Sequence, residues 1–352
     1  MYLKYFITLF VSCAALAHTT PAPEPTSREK LLSLISGEWV TRSIYTAAEL
    51  DIAGFLMEGP KSVRELAKIT QTNEENLYRL LRLLASQGIF QEGENRIFTN
   101  TPASEYLAKD HQLSLRTLIL FYKEETSKSW NLLSNCIREG RPAFDMVMGK
   151  SAEQHFRENP KSAAHFNAAM KEKSKTVIAS CIKSYDFNKF KSVYDIGGGT
   201  GHFLTALLKA NPTLHGTLYE LPEVIRDCKT SIVNFERCTL ISGDFFERIP
   251  EGGDAYLLKS VLHNWTDKAA VKILKKCHEA MKEEARLLIV EPIITSAQKD
   301  PAKLMDVFLM VTTGGKERTL QDFKSLLDQA GFFLESITPT DTEYHIIEAR
   351  KL

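Results

Sequence analysis

Val193-Tyr194-Asp195-Ile196-Gly197-Gly198-Gly199-Thr200-Gly201 is the most informative segment of this 352-residue sequence. Residues 193–196 have the apolar character of a buried strand, and residues 202–210 fit a helix. The glycines between them form a loop. Glycine lets a backbone approach a ligand closely, and the N-terminus of a helix offers free N–H groups. The segment therefore predicts a ligand-binding turn between a strand and a helix.

The spacing of the glycines narrows the class of ligand. Gly197 and Gly199 fit the start of the dinucleotide fingerprint G-x-G-x-x-G, but its last glycine would fall at His202. The third glycine of this loop is Gly201 instead. Asp195 adds a carboxylate, which suits an amino-acid ammonium better than a pyrophosphate. We therefore predict a ligand other than a dinucleotide.

Strand and helix candidates alternate from this loop to the C-terminus. This alternation predicts an α/β fold with a doubly wound, Rossmann-like parallel sheet over residues 185–352. The parallel strand candidates are Val193–Ile196, Thr217–Leu221, Thr239–Ser242, Ala255–Leu258 and Leu287–Pro292. Ala330–Phe333 and Tyr344–Glu348 follow each other closely, which predicts an antiparallel hairpin at the sheet edge.

Polar side chains follow the next two strands. Glu220 comes about 20 residues after the loop, where a carboxylate can accept both hydroxyls of a ribose. Asp244 can accept an adenine amino group, and Phe245 can lie on the face of the ring. Each acid alone is equally well explained as surface charge. Together with Asp195, they predict a nucleoside site at the carboxyl edge of the sheet.

His263 follows the fourth strand, where a side chain opens onto the same edge. A neutral imidazole can take the proton of an alcohol or a phenol as that group attacks an electrophile. Such a base works best when a carboxylate orients it. Glu291 and Glu317 are both candidates for this role, and the sequence leaves the choice open.

Residues 27–110 predict a helical domain that ends in a hairpin. Ser62-Val63-Arg64-Glu65 is a capping box, and Asn73 can cap the next helix. Two strand candidates follow within residues 89–98. This order is typical of a winged helix, which either reads DNA or has a structural, dimerising role. Residues 62–106 hold five basic and six acidic residues, so we predict dimerisation and no nucleic acid.

Six segments, in this order, closely resemble the type 2 small-molecule O-methyltransferases, a family that includes caffeate, flavonoid and acetylserotonin O-methyltransferases and bacterial polyketide methyltransferases. They are VYDIGGGTG (193–201), YELPEV (219–224), GDFF (243–246), LLKSVLHNWTD (257–267), LLIVEP (287–292) and GGKERT (314–319). The resemblance covers about Arg28 to the C-terminus. It implies an S-adenosylmethionine (SAM)-dependent enzyme that methylates a hydroxyl group of a small, aromatic molecule.

The resemblance also implies residue roles. His263 would be the general base, with Glu291 and Glu317 beside it. The implied SAM contacts are Asp195, Gly197, Gly199, Gly201, Glu220, Asp244, Phe245, Lys259 and Ser174. The implied acceptor contacts are Phe166, Met170, Leu309 and Thr312, with Met170 as an apolar platform under the substrate ring. Family members are typically homodimers through their N-terminal helices, and no metal is implied.

Two segments depart from the family pattern. Asn264 stands after the histidine where the family usually has Asp, and Leu309–Thr313 does not match the plant enzymes, so no plant substrate is carried over. Two other functions are compatible with parts of the sequence. One is SAM-dependent N-methylation, C-methylation or other chemistry, as in relatives that lack the base. The presence of His263 argues against this function. The other is a ligand-sensing winged-helix regulator, against which the acidic balance of residues 62–106 counts.

The remaining segments and the bulk composition are less specific. Residues 111–184 predict a helical segment that contributes to the substrate pocket. Basic and acidic residues both number 44, and six cysteines without a CxxC or Cys/His cluster predict neither a metal site nor a disulfide framework.

Residues 1–26 form a leader with signal-peptide features: Lys4, an apolar run and Ala15-Leu16-Ala17. Because SAM is made in the cytosol, we expect a cytoplasmic protein, with export or membrane association as the alternative.

Overall fold

The computed structural model describes residues 26–228 and 236–352. The predicted leader lies outside these residues except for Thr26, whose hydroxyl accepts a hydrogen bond from the Glu29 N–H and caps the first helix. No helix in the two described stretches has the length and apolar character needed to cross a bilayer. The signal-peptide hypothesis therefore stays a prediction.

The N-terminal region has the predicted helices and hairpin. Its elements are α1 (Ser27–Glu49), α2 (Ile52–Leu56), β1 (Lys61–Ser62), α3 (Val63–Thr70), α4 (Glu74–Ser86), β2 (Phe90–Glu92), β3 (Ile97–Asn100) and α5 (Pro102–Glu105). Ser62 and Glu65 form the predicted capping box at α3, and the Asn73 side chain accepts the Asn76 N–H at the start of α4. The short strands pair in the order β1-β3-β2. Burial of Leu66, Leu81 and Phe98 joins the helices to this small sheet.

The segment after it is helical, as predicted. It contains α6 (Arg116–Phe121), a π-helical turn (Tyr122–Thr126), a 3₁₀ turn (Ser129–Leu132), α7 (Leu133–Glu139), α8 (Ala143–Met148), α9 (Ala152–Glu158) and α10 (Pro160–Ser184). Leu118 and Phe121 of α6 pack against Ala169 of α10, with Phe166 and Met170 at the edge of this cluster. This contact fixes one face of α10 beside the central sheet.

The C-terminal region contains the predicted α/β sheet. Its elements are β4 (Ser192–Ile196), α11 (His202–Ala210), β5 (His215–Glu220), α12 (Pro222–Cys228), β6 (Cys238–Ser242), β7 (Ala255–Lys259), α13 (Asp267–Ala280), β8 (Arg286–Ile294), α14 (Pro301–Thr312), β9 (Arg318–Thr319), α15 (Leu320–Gln329), β10 (Phe332–Pro339) and β11 (Tyr344–Lys351). The strand order is β10-β11-β8-β7-β4-β5-β6, and β9 pairs with β8. Strands β6, β5, β4, β7 and β8 are parallel, and β11 and β10 continue them antiparallel, which confirms the predicted edge hairpin.

Alternate residues of the buried strands pack on opposite faces of the sheet. Leu258 faces a layer that includes Leu274 of α13 and Phe323 of α15, whereas Leu257 faces a layer that includes Leu204 of α11. Helices therefore cover both faces, and the chain reverses direction across the sheet at β4, which lies between β5 and β7. Ligands of open α/β sheets bind outside the carboxyl ends of the strands at such a switch point.

Candidate active site

The predicted glycine loop lies at this switch point, between β4 and α11. Gly197, Gly199 and Gly201 have φ angles of 66°, 58° and 73°, backbone conformations in which a side chain is strained. The Gly197 N–H donates to the carbonyl of Tyr219 on β5 over 2.9 Å, which ties the loop to the neighbouring strand. The N-terminus of α11 is thereby held at the carboxyl edge of the sheet.

Asp195, near the end of β4, is a buried carboxyl group without a partner. Its side chain is 1% exposed, and neither oxygen accepts a hydrogen bond from the described residues. Burial raises the pKa of Asp195 to about 7, against the attraction of the nearby Lys259 ammonium. A buried polar group without a partner is costly, so this carboxyl group fits a cationic ligand group such as an amino-acid ammonium.

Gly198 is a residue that sequence reasoning missed. A side chain at this position would collide with the Asp195 carboxyl group and with Leu218. The contact joins two strands of the sheet and depends on tertiary packing, so the spacing of the motif did not indicate it. Gly198 therefore keeps the space beside Asp195 open.

Glu220 and Phe245 converge on the same loop. The Glu220 carboxyl group accepts the Gly199 N–H over 3.2 Å and the Leu221 N–H over 2.8 Å, and burial raises its pKa. The Phe245 ring lies about 3.3 Å from where a side chain on Gly197 would begin. Asp244 is exposed and accepts the Phe246 N–H over 2.8 Å. An acid at the end of β5 and an aromatic ring after β6 thus lie near the loop.

Lys259 and Ser174, which are far apart in sequence, are brought together. The Lys259 ammonium at the end of β7 donates to the Ser174 hydroxyl of α10 over 3.4 Å. Burial lowers the pKa of Lys259, and the charge of Asp195 opposes this shift. The two predicted cofactor contacts therefore link α10 to the carboxyl edge of the sheet.

His263 lies in a 3₁₀ turn, Leu262–Asn264, directly after β7. Its Nδ1 lies 2.9 Å from Oε1 of Glu317, and its side chain is 8% exposed. Burial lowers the pKa of His263 to about 4, so its imidazole is neutral at pH 7. When Glu317 is ionised and accepts the proton of Nδ1, Nε2 is the nitrogen that remains for an incoming proton.

The two candidate acids contact different parts of His263. Glu317 contacts the ring, whereas Oε1 of Glu291 accepts the backbone N–H of His263 over 3.1 Å. Burial raises the pKa of Glu317 to about 8, and the Lys173 ammonium opposes this shift. Burial also raises the pKa of Glu291, and the second oxygen of each acid has no hydrogen-bond partner among the described residues. Glu317 therefore orients the imidazole, and Glu291 holds the turn that carries it.

Comparison with known proteins shows the family to which the chain belongs. A model of the O-methyltransferase domain matches residues 130–333, more than half of the chain, and a model of the O-methyltransferase dimerisation domain matches residues 32–110. The chain belongs to the O-methyltransferase family. It is a SAM-dependent O-methyltransferase with a Rossmann-like α/β fold, as the resemblance of its motifs implied.

Two curated relatives and one solved structure illustrate the similarity of this O-methyltransferase to others. It is 35% identical to a phenazine O-methyltransferase of Lysobacter antibioticus, over 92% of this chain and 96% of the relative. It is also 35% identical to a mitomycin biosynthesis 6-O-methyltransferase of Streptomyces lavendulae, over 94% of this chain and 96% of the relative. The crystal structure of human N-acetylserotonin methyltransferase in complex with SAM aligns with a TM-score of 0.86 at 25% identity, covering 94% of this chain and 99% of that one.

A cavity of about 780 Å³ lies beside the His263 turn of this O-methyltransferase. Pro292, which follows Glu291, contributes to its wall, and so does Lys173, which follows Met170 by less than one helical turn. Other wall residues are Tyr45, Tyr122, Trp130, Met305, Phe308 and Tyr344. The cavity thus has several aromatic rings in its wall and is large enough for a ligand of drug size.

The four predicted acceptor contacts, Phe166, Met170, Leu309 and Thr312, are not among the residues that line the cavity. Phe166 stacks on Phe156, with ring centroids 4.8 Å apart, and Met170 packs against the same cluster as the cavity residue Tyr122. Leu309 and Thr312 are 4% and 5% exposed and do not line the cavity. On α14 the wall is formed by Met305 and Phe308 instead, because the rotation of this helix is set by tertiary packing.

Proposed function

We propose that this O-methyltransferase transfers the methyl group of SAM to a hydroxyl group of a small aromatic molecule, with His263 as the general base. The observation that carries the proposal is the 2.9 Å contact between Nδ1 of a neutral His263 and Glu317, next to an aromatic cavity. The names of the curated relatives, which include phenazine and mitomycin O-methyltransferases, support an aromatic acceptor.

The residues at the carboxyl edge of the sheet fit SAM. When bound, SAM supplies an electrophilic methyl group on a sulfonium. Asp195 would hold the ammonium of its amino-acid part, because this buried carboxyl group has no protein partner. Glu220 would accept the ribose hydroxyls, and Phe245 and Asp244 would contact the adenine. Lys259 and Ser174 would lie near the charged end of the amino-acid part.

His263 would act on the acceptor. An ionised Glu317 accepts the proton on Nδ1, so the lone pair of the neutral ring is on Nε2. Nε2 takes the hydroxyl proton as the oxygen attacks, which spares a phenol from ionising by itself at neutral pH. The charge of Glu317 then steadies the imidazolium that forms. Glu291 keeps the turn in place through the His263 N–H.

The proposal is tested by incubating the full chain with SAM and a panel of hydroxylated benzoates, naphthoates and phenazines. We expect a gain of one methyl group on the hydroxyl of at least one acceptor, detected by mass spectrometry. The same acceptors with their hydroxyl already methylated serve as controls. A chain that binds SAM in calorimetry but methylates none of the free hydroxyls, or methylates a nitrogen instead, would contradict the proposal.

A further inference from the structure

Lys173 of α10 is a partly buried cation to which the methyl transfer assigns no role. It lines the aromatic cavity one residue before Ser174, and its Nζ lies 3.6 Å from the sulfur of Met305. No Asp or Glu oxygen of the described residues lies within 4.0 Å of this ammonium. A buried ammonium is strongly disfavoured unless it is paired. The side chain is therefore placed where a ligand anion would stabilise it.

The nearest acids do not fill this role. Glu317 and Glu343 both attract the Lys173 ammonium from beyond ion-pair distance, while the like charge of Lys259 repels it. Glu317 is engaged with the ring of His263, and Glu343 is exposed at the rim of the cavity. Burial outweighs these attractions and lowers the pKa of Lys173.

The other charged residues of the cavity wall differ from Lys173. Glu38 and Arg42 of α1 line the cavity too, but they pair with each other over 3.5 Å and lie half exposed at its mouth. The deeper wall is apolar or aromatic, with Tyr122, Met305 and Phe308 close to the lysine. Among the described residues, the cavity wall thus holds one partly buried cation without an ion pair, set among aromatic rings.

We propose that Lys173 binds a carboxylate on the aromatic acceptor, so that the substrates of this site are hydroxylated aromatic acids. The inference rests on the proposed function, since it concerns the acceptor of the same site. A lysine ammonium in a pocket with aromatic walls selects an anionic substituent over a neutral one, because a neutral ligand that fills the pocket leaves the ammonium desolvated and unpaired. The aromatic walls bind the ring, and Lys173 fixes which substituent points toward α10.

Direct binding tests the inference without any methyl transfer. Calorimetry compares benzoate with benzamide, 1-naphthoate with 1-naphthamide, and phenazine-1-carboxylate with its amide. For the full wild-type chain we expect at least one acid to bind more tightly than its amide by about tenfold or more, as for a buried hydrogen bond to a charged group. Lys173→Met should abolish this preference and Lys173→Arg should retain it. Lys171→Met, an exposed lysine of the same helix, should behave as wild type.

Two results would overturn the inference. One is that every wild-type acid binds no better than its amide; the other is that Lys173→Met keeps the preference. SAM affinity, measured on the same proteins, distinguishes acceptor binding by Lys173 from a role of this lysine in binding the cofactor. A large loss of SAM affinity in Lys173→Met with an unchanged preference for acids would assign the lysine to the cofactor, and the inference would fail. Acid binding through Lys173 without any methyl transfer would refute the proposed function alone.

Discussion

At the scale of single residues, the site separates two acids that look equivalent in the sequence. Glu291 lies within β8 and Glu317 directly before β9, and only the fold decides that Glu317 contacts the His263 ring and Glu291 its backbone N–H. His263 and both acids can be identified from the sequence because each lies in a short, contiguous motif. Lys173 was missed, because an isolated lysine in a helix carries no signal until the cavity around it is known.

Removal of the proposed base gives the first prediction. His263→Ala should lower kcat by roughly 10²–10⁴ at pH 7 and change SAM affinity little, because the imidazole acts only on the acceptor proton. The loss should shrink as the pH approaches the pKa of the acceptor, since a phenolate needs no base. His215→Ala, an exposed histidine at the start of β5, is the control. Wild-type kcat in His263→Ala at pH 7 would mean that the acceptor arrives ionised.

The pKa of Glu317 gives a prediction for pH. Since burial raises this pKa to about 8, Glu317 is protonated at pH 7 in the free enzyme and donates to Nδ1, which leaves the ring proton on Nε2. Loss of the Glu317 proton moves the imidazole into its basic form. We therefore expect kcat/KM to rise as pH increases through about 8, measured with an acceptor whose own pKa is above this range.

Two matched variants test whether ionisation of Glu317 causes the rise of kcat/KM near pH 8. Glu317→Gln cannot lose a proton, so the rise near pH 8 should disappear together with most of the activity. Glu291→Gln should cost less and keep the rise, because Glu291 touches the turn and not the ring. An unchanged pH profile in Glu317→Gln would remove Glu317 from the role of orienting the base.

At the scale of elements, the strands and caps were predictable and the rotation of the helices was not. The α/β alternation and the capping residues Ser62 and Asn73 are read from neighbouring residues, so the structure agrees with them. Leu309 and Thr312 were predicted to face the acceptor, whereas Met305 and Phe308 line the cavity. Which face of α14 meets a cavity depends on distant packing, and no local pattern encodes it.

The turn that carries His263 is held by Arg318, whose side chain is fully buried. The guanidinium donates to the carbonyls of Leu262 and Trp265 over 2.9 and 2.8 Å and to the Asp267 carboxylate over 3.1 Å. Arg318→Met removes all three hydrogen bonds of this buried guanidinium, and a hydrogen bond to a charged group contributes about 1.5–3 kcal/mol. We therefore expect the free energy of unfolding to fall by about 2 kcal/mol or more in urea denaturation.

Lys316→Met provides the control for Arg318. Lys316 also donates to Asp267, over 2.7 Å, but this pair is exposed, so its loss should cost about 1 kcal/mol or less. Equal losses in the two variants would mean that the buried hydrogen bonds do not stabilise the turn.

At the scale of the whole molecule, α1 has an apolar face that the other described residues leave uncovered. Leu34 is 78% exposed and Trp39 is 68% exposed, and they belong to a larger exposed set on this helix that also includes Leu31, Leu32 and Ile35. The sequence pattern predicts an apolar stripe on this helix. It does not predict that the stripe stays exposed, because exposure depends on how the other described residues pack. The match of residues 32–110 to a dimerisation domain supports the homodimer that we propose.

Homodimerisation through α1 is the last prediction. A patch of this kind on one helix is typical of a protein interface, so light scattering of the full chain should give about twice the mass of one chain at micromolar concentration. Trp39→Glu combined with Leu34→Glu places two charges in the interface and should give monomers. Leu352→Glu, an exposed apolar residue at the C-terminus, should leave the mass unchanged. Because Thr41, Arg42 and Tyr45 of α1 line the cavity that we propose for the acceptor, the monomer should also bind acceptors more weakly while its SAM affinity is kept. A wild-type chain that runs as a monomer, or a double variant that stays dimeric, would place the interface elsewhere.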